Sequence, residues 1–354
     1  MKVEDAVPYV AMVIVQFALV GLMVESKKAM SDGMTNFTFA FYANAITAVI
    51  LLPSSFLIHR SSTRPPLTFS LLGRFLLLGL IGFLVQIFGY AGIQYASASL
   101  SSAMLNLIPG FTFVLAIIFR MEKVDCRSAS TMYKSIGTVV SITGALIVTL
   151  YDGPLILKTL HPHSKSLHLH TQHSDWLIGG LLLAIDSLIS SVFIIAQALI
   201  IKNYPAELFI MFFYCCVVAI LSAATSLILE NDLSSWSLQS NTRLIAVIYS
   251  GLLGSAFQVT VGAWCLRRKG PLFVAMFHPL GVVIATAMGI IFLGDAFYLG
   301  SLLGSMVIVI GFYSVMWGKA KEGKLVEGGQ KGLDSSNGKT PLLQTHVQEP
   351  PLVQ

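Results

Sequence analysis

Long apolar stretches dominate the pattern of hydrophobic and polar positions along this chain. A window of about 19 residues, the length of helix that crosses the hydrocarbon core of a bilayer, finds ten such stretches. The pattern therefore predicts ten transmembrane helices. The predicted spans run from Tyr9 to Val24, Phe37 to Ile58, Leu71 to Ile93, Ser99 to Phe119, Tyr133 to Tyr151, Trp176 to Ile201, Leu208 to Leu229, Leu244 to Cys265, Leu272 to Leu293 and Phe297 to Trp317.

Composition leads to the same fold class. Hydrophobic residues make up 55% of the chain and charged residues 11%, and the mean hydropathy is +0.78. An average soluble domain is about 25% charged. A water-soluble fold of this length could not bury so much apolar surface, so we expect an all-α integral membrane protein that has the lipid bilayer as one of its solvents.

Positive charge is distributed unevenly over the connections, and this predicts the orientation. "MKVEDAVPY" carries two acids against one Lys, and no small-residue cleavage site precedes Glu25, so we expect the first helix to be retained. The side that we call inner holds fifteen Lys and Arg residues and the outer side five. Cytosolic connections are the positive ones, so we expect both termini in the cytosol. The basic pI of 9.0 follows mostly from these connections and needs no nucleic-acid partner.

An internal repeat divides the chain into two halves. An offset of 170 residues carries Pro109 onto Pro279 and Gln16 in the first span onto Asp186 in the sixth. The repeat predicts five-helix halves over residues 9–151 and 176–317. Because five is odd, the second half must enter the membrane from the opposite side, which gives two inverted repeats. Charge agrees, since the outer turn "YASASLSS" is uncharged and its inner counterpart "CLRRKGP" carries three positive residues.

Three segments lie outside the predicted repeats: a cytosolic N-terminus at 1–8, a central outer loop at 152–175 and a tail at 318–354. The loop contains five His residues, but no Cys or acidic cluster joins them, so a solvated linker is favoured over a zinc site. The tail is rich in Gly, Lys, Ser, Gln and Pro, which predicts disorder. We expect neither a metal nor a cofactor, and we interpret the four cysteines as packing residues.

Asp186 is the only carboxylate deep inside a predicted span. A polar group in hydrocarbon needs a partner or a water-filled cavity, so such residues are candidates for a transport path. Ser190 and Gln197 share its helix face. Asp186 is therefore a candidate for taking up and releasing a proton, and a purely structural hydrogen bond to a neighbouring helix is the alternative.

Further polar positions mark a candidate substrate cavity. Gln86, Tyr90 and Gln94 follow one another at spacings of four and form a polar stripe on the third span. Such a stripe predicts a wet helix face. Gln16 in the first span and Gln258 in the eighth complete this group, and each is equally consistent with a packing contact.

Two prolines within spans predict bent or broken helices at equivalent points of the halves. Asn106 and Pro109 share a face of the fourth span, and His278 immediately precedes Pro279 in the ninth. Proline cannot donate a backbone hydrogen bond and often kinks a helix. Broken helices at matched positions are typical of transporters with a substrate site at the midplane. His278 could accept a proton, bind substrate or form an interhelical hydrogen bond.

Catalytic patterns are missing from the sequence. It contains no Gly-rich phosphate loop followed by Lys and Ser or Thr, and no HExxH or CxxC pair. An enzymatic function is therefore not expected, and energy from ATP would need another subunit.

Four segments resemble the plant nodulin-21-like, EamA-type transporters, also called the Walls-Are-Thin-related or UMAMIT family, within the drug/metabolite transporter superfamily. They are "PYVAMVIVQFALVGLMVESKKAMSDGM", "SSAMLNLIPGFTFVLAIIFRMEKVDCRS", "GALIVTLYDGP" and "FHPLGVVIATAMGIIFLGDAFYLGSLLGSMVIVIGFYSVMWGKAKE". The resemblance runs from Pro8 to Glu322. Two departures concern the substrate: Ala43 stands where many members have a basic residue, and His278 where many have Asn.

The resemblance implies ten helices in two EamA repeats and a cavity lined by spans one, three, four, six, eight and nine. It also implies export or bidirectional movement of amino acids, or of auxin or another small organic metabolite, across the plasma or vacuolar membrane. We expect an alternating-access carrier that is proton-linked through Asp186. A channel and a membrane scaffold are the alternatives from other classes, and pairing with a second copy stays open.

Overall fold

The computed structural model describes residues 3–58, 68–95, 104–122, 128–151, 153–157, 173–229, 233–288, 290–291 and 297–337. Helices account for almost all of these residues. In chain order they are α1 Val3–Ser31, α2 Asn36–Ile58, α3 Phe69–Tyr95, α4 Ile108–Ile118, α5 Ala129–Leu150, α6 His173–Asn203, α7 Glu207–Leu229, α8 Asn241–Lys269, α9 Pro271–Met288 and α10 Leu299–Asn337.

Nine of the helices in this part of the chain are long and apolar enough to cross a membrane, and α4 is a shorter apolar helix. Large apolar side chains point outward along them, such as Val49, 72% exposed, and Ile228, 78% exposed. Exposure of this kind suits lipid, because hydrocarbon is as apolar as the side chains. The prediction of an all-α integral membrane fold is confirmed, and the described residues form nine helices of spanning length and a shorter apolar helix at the fourth predicted span.

A short antiparallel pair of strands interrupts the helical pattern, and it joins β1 Leu155–Leu157 to β2 Phe297–Tyr298. The strands follow α5 and precede α10, so they connect the outer ends of these helices. The backbone N–H of Leu299 also donates to the carbonyl of Pro154, at 3.0 Å. A pair of this size leaves the fold class unchanged.

Helices α4 and α9 are interrupted at equivalent positions. The chain turns at Asn106 and Leu107 before α4, and α9 is divided at Met276 into Pro271–Ala275 and Phe277–Met288. The offset of 170 carries Asn106 onto Met276. In each half the interruption begins three residues before the proline, Pro109 or Pro279, so the two breaks have the same local cause.

The packing of the helices follows the two-fold relation between the halves. Exchanging each helix with its counterpart five places along carries the α3–α6 contact onto the α1–α8 contact. The same exchange carries α4–α6 onto α1–α9, and it maps the pairs α2–α7, α5–α10 and α4–α9 onto themselves. Because each half has five helices, an odd number, equivalent helices of the two halves cross the membrane in opposite directions. The chain therefore consists of two inverted five-helix repeats.

Helices α5 and α10 approach each other at glycines. A Cβ added to Gly137 would lie 2.8 Å from the carbonyl oxygen of Gly311, and one added to Gly144 would lie 2.9 Å from that of Gly304. Backbones can come so close only where side chains are missing, as in other small-residue contacts between membrane helices. These four glycines therefore define the contact between the halves along α5 and α10.

The two larger clusters of buried apolar residues lie in the inner half of the described structure. One cluster surrounds Phe75, Tyr204 and Phe209, near the inner ends of α3, α6 and α7. A second contains Phe273 and Phe277 of α9, packed against α1 and α10. The outer cluster is smaller and is built on Ala29, Met34, Phe39, Ala246 and Val247. Among the described residues, the larger apolar clusters therefore lie at the inner ends of the helices.

Some boundaries differ from the expected ones. Helix α10 continues to Asn337, beyond Trp317, through a segment for which the sequence predicts disorder. Just after Trp317, Lys319 and Glu322 form ion pairs that stabilise the part of α10 beyond the apolar span. Residues 158–172, which include most of the His-rich loop, and residues 338–354 lie outside the described part of the chain.

Three of the four cysteines fall within the described ranges. Cys215 and Cys265 are buried, Cys216 is half-buried, and all three are free thiols. Cys215 and Cys265 each belong to one of the inner apolar clusters. Cys126 lies outside these ranges.

Candidate functional site

Asp186 lies in the middle of α6, where this helix packs against α3. Its side chain is 3% exposed. Gly89 of α3 lies beside this side chain, and a Cβ added there would lie 3.6 Å from Oδ2 and 3.7 Å from Oδ1, an ordinary van der Waals distance. At Gly92, one turn along, an added Cβ would lie only 2.6 Å from Cγ of Leu183, so α3 and α6 pack tightly there. The carboxylate therefore faces the backbone of α3 at Gly89.

One oxygen of this carboxylate lacks a hydrogen-bond partner within the described part of the chain. Asp186 Oδ1 is buried and accepts no hydrogen bond from any described residue. Burial of an unsatisfied polar atom is costly, and in a membrane protein it marks a site for a proton, a water molecule or a substrate group. The structural alternative for Asp186, a hydrogen bond to a neighbouring helix, is not observed for this atom.

Helix α6 also forms hydrogen bonds with the backbone on both sides of the turn before α4. Ser187 donates its hydroxyl to the carbonyl of Met104 at 2.7 Å, and Ser191 donates to that of Ile108 at 3.1 Å. The two carbonyls lie on either side of the turn that contains Asn106, which is 2% exposed. Asn106 therefore lies in a turn before α4 that hydrogen bonds hold against α6, close to Asp186 in the chain order of that helix.

We expect the double variant Ser187→Ala/Ser191→Ala to be less stable by about 1 kcal/mol, because interhelical hydrogen bonds in membranes contribute about 0.6 kcal/mol each. Thermal unfolding of the purified protein in detergent measures the loss. Ser190→Ala, on the same helix, is the matched control and should leave the unfolding temperature unchanged. Equal stability of the two variants would contradict the role of these hydroxyls.

Gln16 occupies the equivalent position in the first half. Its side chain is 6% exposed, and its Oε1 lies 2.5 Å from the point where a Cβ would stand on Gly281. Gly281 is three residues after His278, which is half-buried on the second part of α9. The contact between α1 and α9 thus brings Gln16 next to the helix that carries His278 and Pro279.

Helix α8 contains a π-helical segment at its centre, Ser250–Phe257. Gln258 follows it directly and is half-buried. Thr47 of α2 donates a hydrogen bond to the carbonyl of Gly251 at 3.1 Å. Insertions of this type are rare within α-helices and are frequent at functional sites. The segment therefore supports the assignment of α8 to the candidate site.

The polar stripe of α3 is divided between neighbours. Gln86 accepts a hydrogen bond from Ser222 of α7 at 3.4 Å. The ring of Tyr90 meets that of Phe37 edge to face, with centroids 5.9 Å apart. Tyr90 also lines a cavity of about 330 Å³ at the outer face, together with Met30, Met34, Thr35, Asn36 and Phe37. The Gln94 side chain lies outside the described part of the structure.

Comparison with known proteins decides the family. Residues 7–150 match the EamA-like transporter family. The chain is 45% identical to the WAT1-related protein At3g28050 of Arabidopsis thaliana, over 97% of this chain and 96% of the relative. It is 42% identical to the WAT1-related protein At5g40240 of the same plant, over 98% and 94%.

The chain belongs to the WAT1-related family of EamA-like transporters. A crystal structure of a protein only 14% identical superposes with a TM-score of 0.66, over 89% of this chain and 98% of the other, which shows the same fold. The resemblance deduced from the sequence is confirmed. The protein is thus an integral, multi-pass membrane transporter of small organic compounds.

Within this WAT1-related fold, the candidates form two groups. Gln86 and Tyr90 lie on α3 and Asn106 lies in the break before α4, and both elements pack against α6, which carries Asp186. Gln86 itself contacts Ser222, however, and Tyr90 contacts Phe37. Gln16 and His278 lie on α1 and α9, and Gln258 lies on α8, which packs against α1. The two groups are exchanged by the two-fold relation between the halves, and only one of them has a carboxylate at its centre.

Several residues of this site could not be found from the sequence of the WAT1-related chain alone. Gly89 is one of 29 glycines, and only its contact with Asp186 distinguishes it. Ser187 and Ser191 share a helix face at a spacing of four, which could have drawn attention to them. The π-helical segment of α8 has no sequence signal that we can identify.

Proposed function

We propose that this WAT1-related transporter is an alternating-access carrier that moves amino acids, either outward or in both directions, and that Asp186 couples this movement to protons. The buried, unpartnered Oδ1 of Asp186 beside Gly89 is the observation that supports the proposal most strongly. A protonated carboxyl group is far easier to keep in an apolar interior than a carboxylate. A proton that binds and leaves there can therefore change the stability of the states of the carrier.

The surroundings of Asp186 suit the binding of a small zwitterion. The interruptions beside Asn106 and at Met276 lie at equivalent points of the two halves, as in other carriers with discontinuous helices around a substrate site. We assign hydrogen-bonding roles toward the substrate to Asn106, His278 and the polar residues of α3. Gln16, the counterpart of Asp186, is uncharged at every pH, so a single half of the carrier would hold the proton.

Difference in packing between the two faces supports a carrier rather than a channel. The inner half contains two aromatic clusters, whereas the cavity that Tyr90 lines lies at the outer face. Packed aromatic clusters at the inner ends of the described helices and an open cavity at the outer end of α1 and α2 fit one state of an alternating-access cycle. We further propose that both termini are cytosolic and that the plasma membrane or the vacuolar membrane holds the protein.

Efflux from oocytes tests the proposed substrate class. Oocytes that express the protein are loaded with a mixture of labelled amino acids and an indole acid, and efflux is followed at two external pH values. We expect selective, pH-dependent efflux of amino acids. Efflux of the indole acid alone would assign the protein to small organic acids instead. No efflux in spite of surface expression would contradict amino-acid transport at the plasma membrane.

A further inference from the structure

Four charged side chains meet at the inner ends of α4, α5 and α10. Lys134 Nζ lies 2.8 Å from Glu122 Oε2 and 2.9 Å from Glu322 Oε2, and Lys319 Nζ lies 2.5 Å from Glu122 Oε1. The side chains of Lys134 and Glu122 are 1% and 4% exposed. A connected set of buried ion pairs is unusual, because taking charges out of water is costly unless every charge is paired.

The end of α4 places Glu122 in this cluster. Arg120, two residues after the helix, has a φ of 54°, in the left-handed region that reverses the chain at helix ends. The N–H groups of Met121 and Glu122 both donate to the carbonyl of Ala116, at 2.8 and 3.2 Å. Position and orientation of the Glu122 carboxylate are therefore fixed by the way in which α4 ends.

Electrostatics keep Glu122 charged. Burial raises the pKa of this carboxyl group, but the ammonium groups of Lys319 and Lys134 outweigh burial and hold the pKa below its usual value of 4.5. Because its pKa is lowered, the ionised Glu122 stabilises the folded protein at pH values above the usual pKa of 4.5. This stabilisation is lost as the pH falls through the lowered pKa. The Glu122 carboxylate is therefore ionised near neutral pH.

The cluster joins the end of α4 to α5 and α10. Glu122 and Lys134 belong to the first half, whereas Lys319 and Glu322 belong to the second. The turn between α8 and α9 lies against them, since a Cβ on Gly270 would be 3.8 Å from both Glu122 Oε1 and Lys319 Nζ. Just above this turn, the first part of α9 packs against α4. An inner opening between α4 and α9 would therefore pull Glu122 away from Lys319.

We propose that Glu122, Lys134, Lys319 and Glu322 form a latch that stabilises the state closed to the inner side and that opens when the carrier faces inward. This inference rests on the alternating-access function proposed above. It gives these residues a role in the conformational equilibrium, at a distance from the candidate substrate site.

Cysteine labelling tests the latch without any substrate. Ala275→Cys reports on the inner side, because Ala275 is buried on the first part of α9, and Met30→Cys reports on the outer cavity. Each reporter is labelled with a membrane-impermeant maleimide in vesicles of known orientation. Adding Lys319→Met should raise the labelling rate of the inner reporter about tenfold, a shift of about 1.4 kcal/mol, and lower that of the outer reporter.

Two controls separate a latch from a structural anchor. Arg267→Met breaks another inner ion pair, that of Arg267 with Glu207 at 2.8 Å, and should leave both labelling rates unchanged. Exchange of all four signs, with Glu122→Lys, Lys134→Glu, Lys319→Glu and Glu322→Lys, should restore the original rates because every pair is regained.

Unchanged rates in Lys319→Met would overturn the latch. So would a rise at both reporters, because this would mean that the cluster holds the fold together rather than one state of it. A protein that moves no amino acid could still give the expected labelling, and a confirmed carrier could still lack it. The test of the latch is therefore independent of the test of transport.

Discussion

Replacing Asp186 by Asn is expected to abolish the pH dependence of transport. Asn has the same size and shape as Asp, so packing against Gly89 is preserved, but it cannot take up or release a proton. Transport by the variant should therefore be equally fast at two external pH values at which the rate of the unmodified protein differs. Initial rates of labelled amino-acid efflux, normalised to the protein at the cell surface, measure the effect.

Asp32→Asn is the matched control for this variant. Asp32 is also a carboxylate, but it lies at the outer end of α1, where its side chain is 41% exposed and pairs with Arg243. Its replacement should leave the pH dependence intact. Surface labelling should show both variants in the membrane in equal amounts. A pH dependence that persists in Asp186→Asn would remove this residue from the coupling mechanism.

Replacing Gly311 by Ala should destabilise the protein by about 2 kcal/mol, because a methyl group has no room between α5 and α10. An added Cβ would lie 2.7 Å from the carbonyl oxygen of Gly137 and 2.8 Å from the Cα of Ser141, and both are backbone atoms that cannot rotate away. The helices would have to move apart along the contact between the halves. The free energy of unfolding in detergent measures the loss.

Gly262→Ala provides a control with the opposite sign. Gly262 lies on α8, and an added Cβ there meets no atom within 4 Å. Alanine favours a helix over glycine by about 1 kcal/mol, so this variant should be as stable as the unmodified protein or more so. If Gly311→Ala proved as stable as Gly262→Ala, a methyl group would have room between α5 and α10, which would contradict the close backbone contact at Gly311.

Hydropathy alone predicts the helices well, since a bilayer demands long apolar stretches and leaves few alternatives. The seventh span was predicted from Leu208 to Leu229, and α7 is Glu207–Leu229. Larger errors occur where polar residues continue a helix beyond the membrane, as in α10. The inverted repeat was also predictable, because Pro109 and Pro279 impose the same break on both halves.

The contacts within the site were less predictable. In the sequence, Lys134 is one of the fifteen positive charges of the inner side. Its place at the start of an apolar stretch is a sign that it has a buried partner. Its partners Glu122 and Glu322 are 12 and 188 residues away in the chain, so only the fold reveals them. The residues around Asp186 come from three helices, and hydropathy does not specify which faces of these helices meet.

Counterflow in proteoliposomes is the most direct test of the central claim that this WAT1-related protein is an alternating-access carrier. The purified protein is reconstituted into vesicles, which are loaded with an unlabelled amino acid and then diluted into a trace of the labelled one. In a carrier, unlabelled amino acid from inside returns the binding site to the outside, where the site picks up label and brings it in. We therefore predict transient accumulation of label inside the vesicles above its external concentration. A channel only lets label equilibrate, and uptake that never exceeds the external concentration would contradict the account.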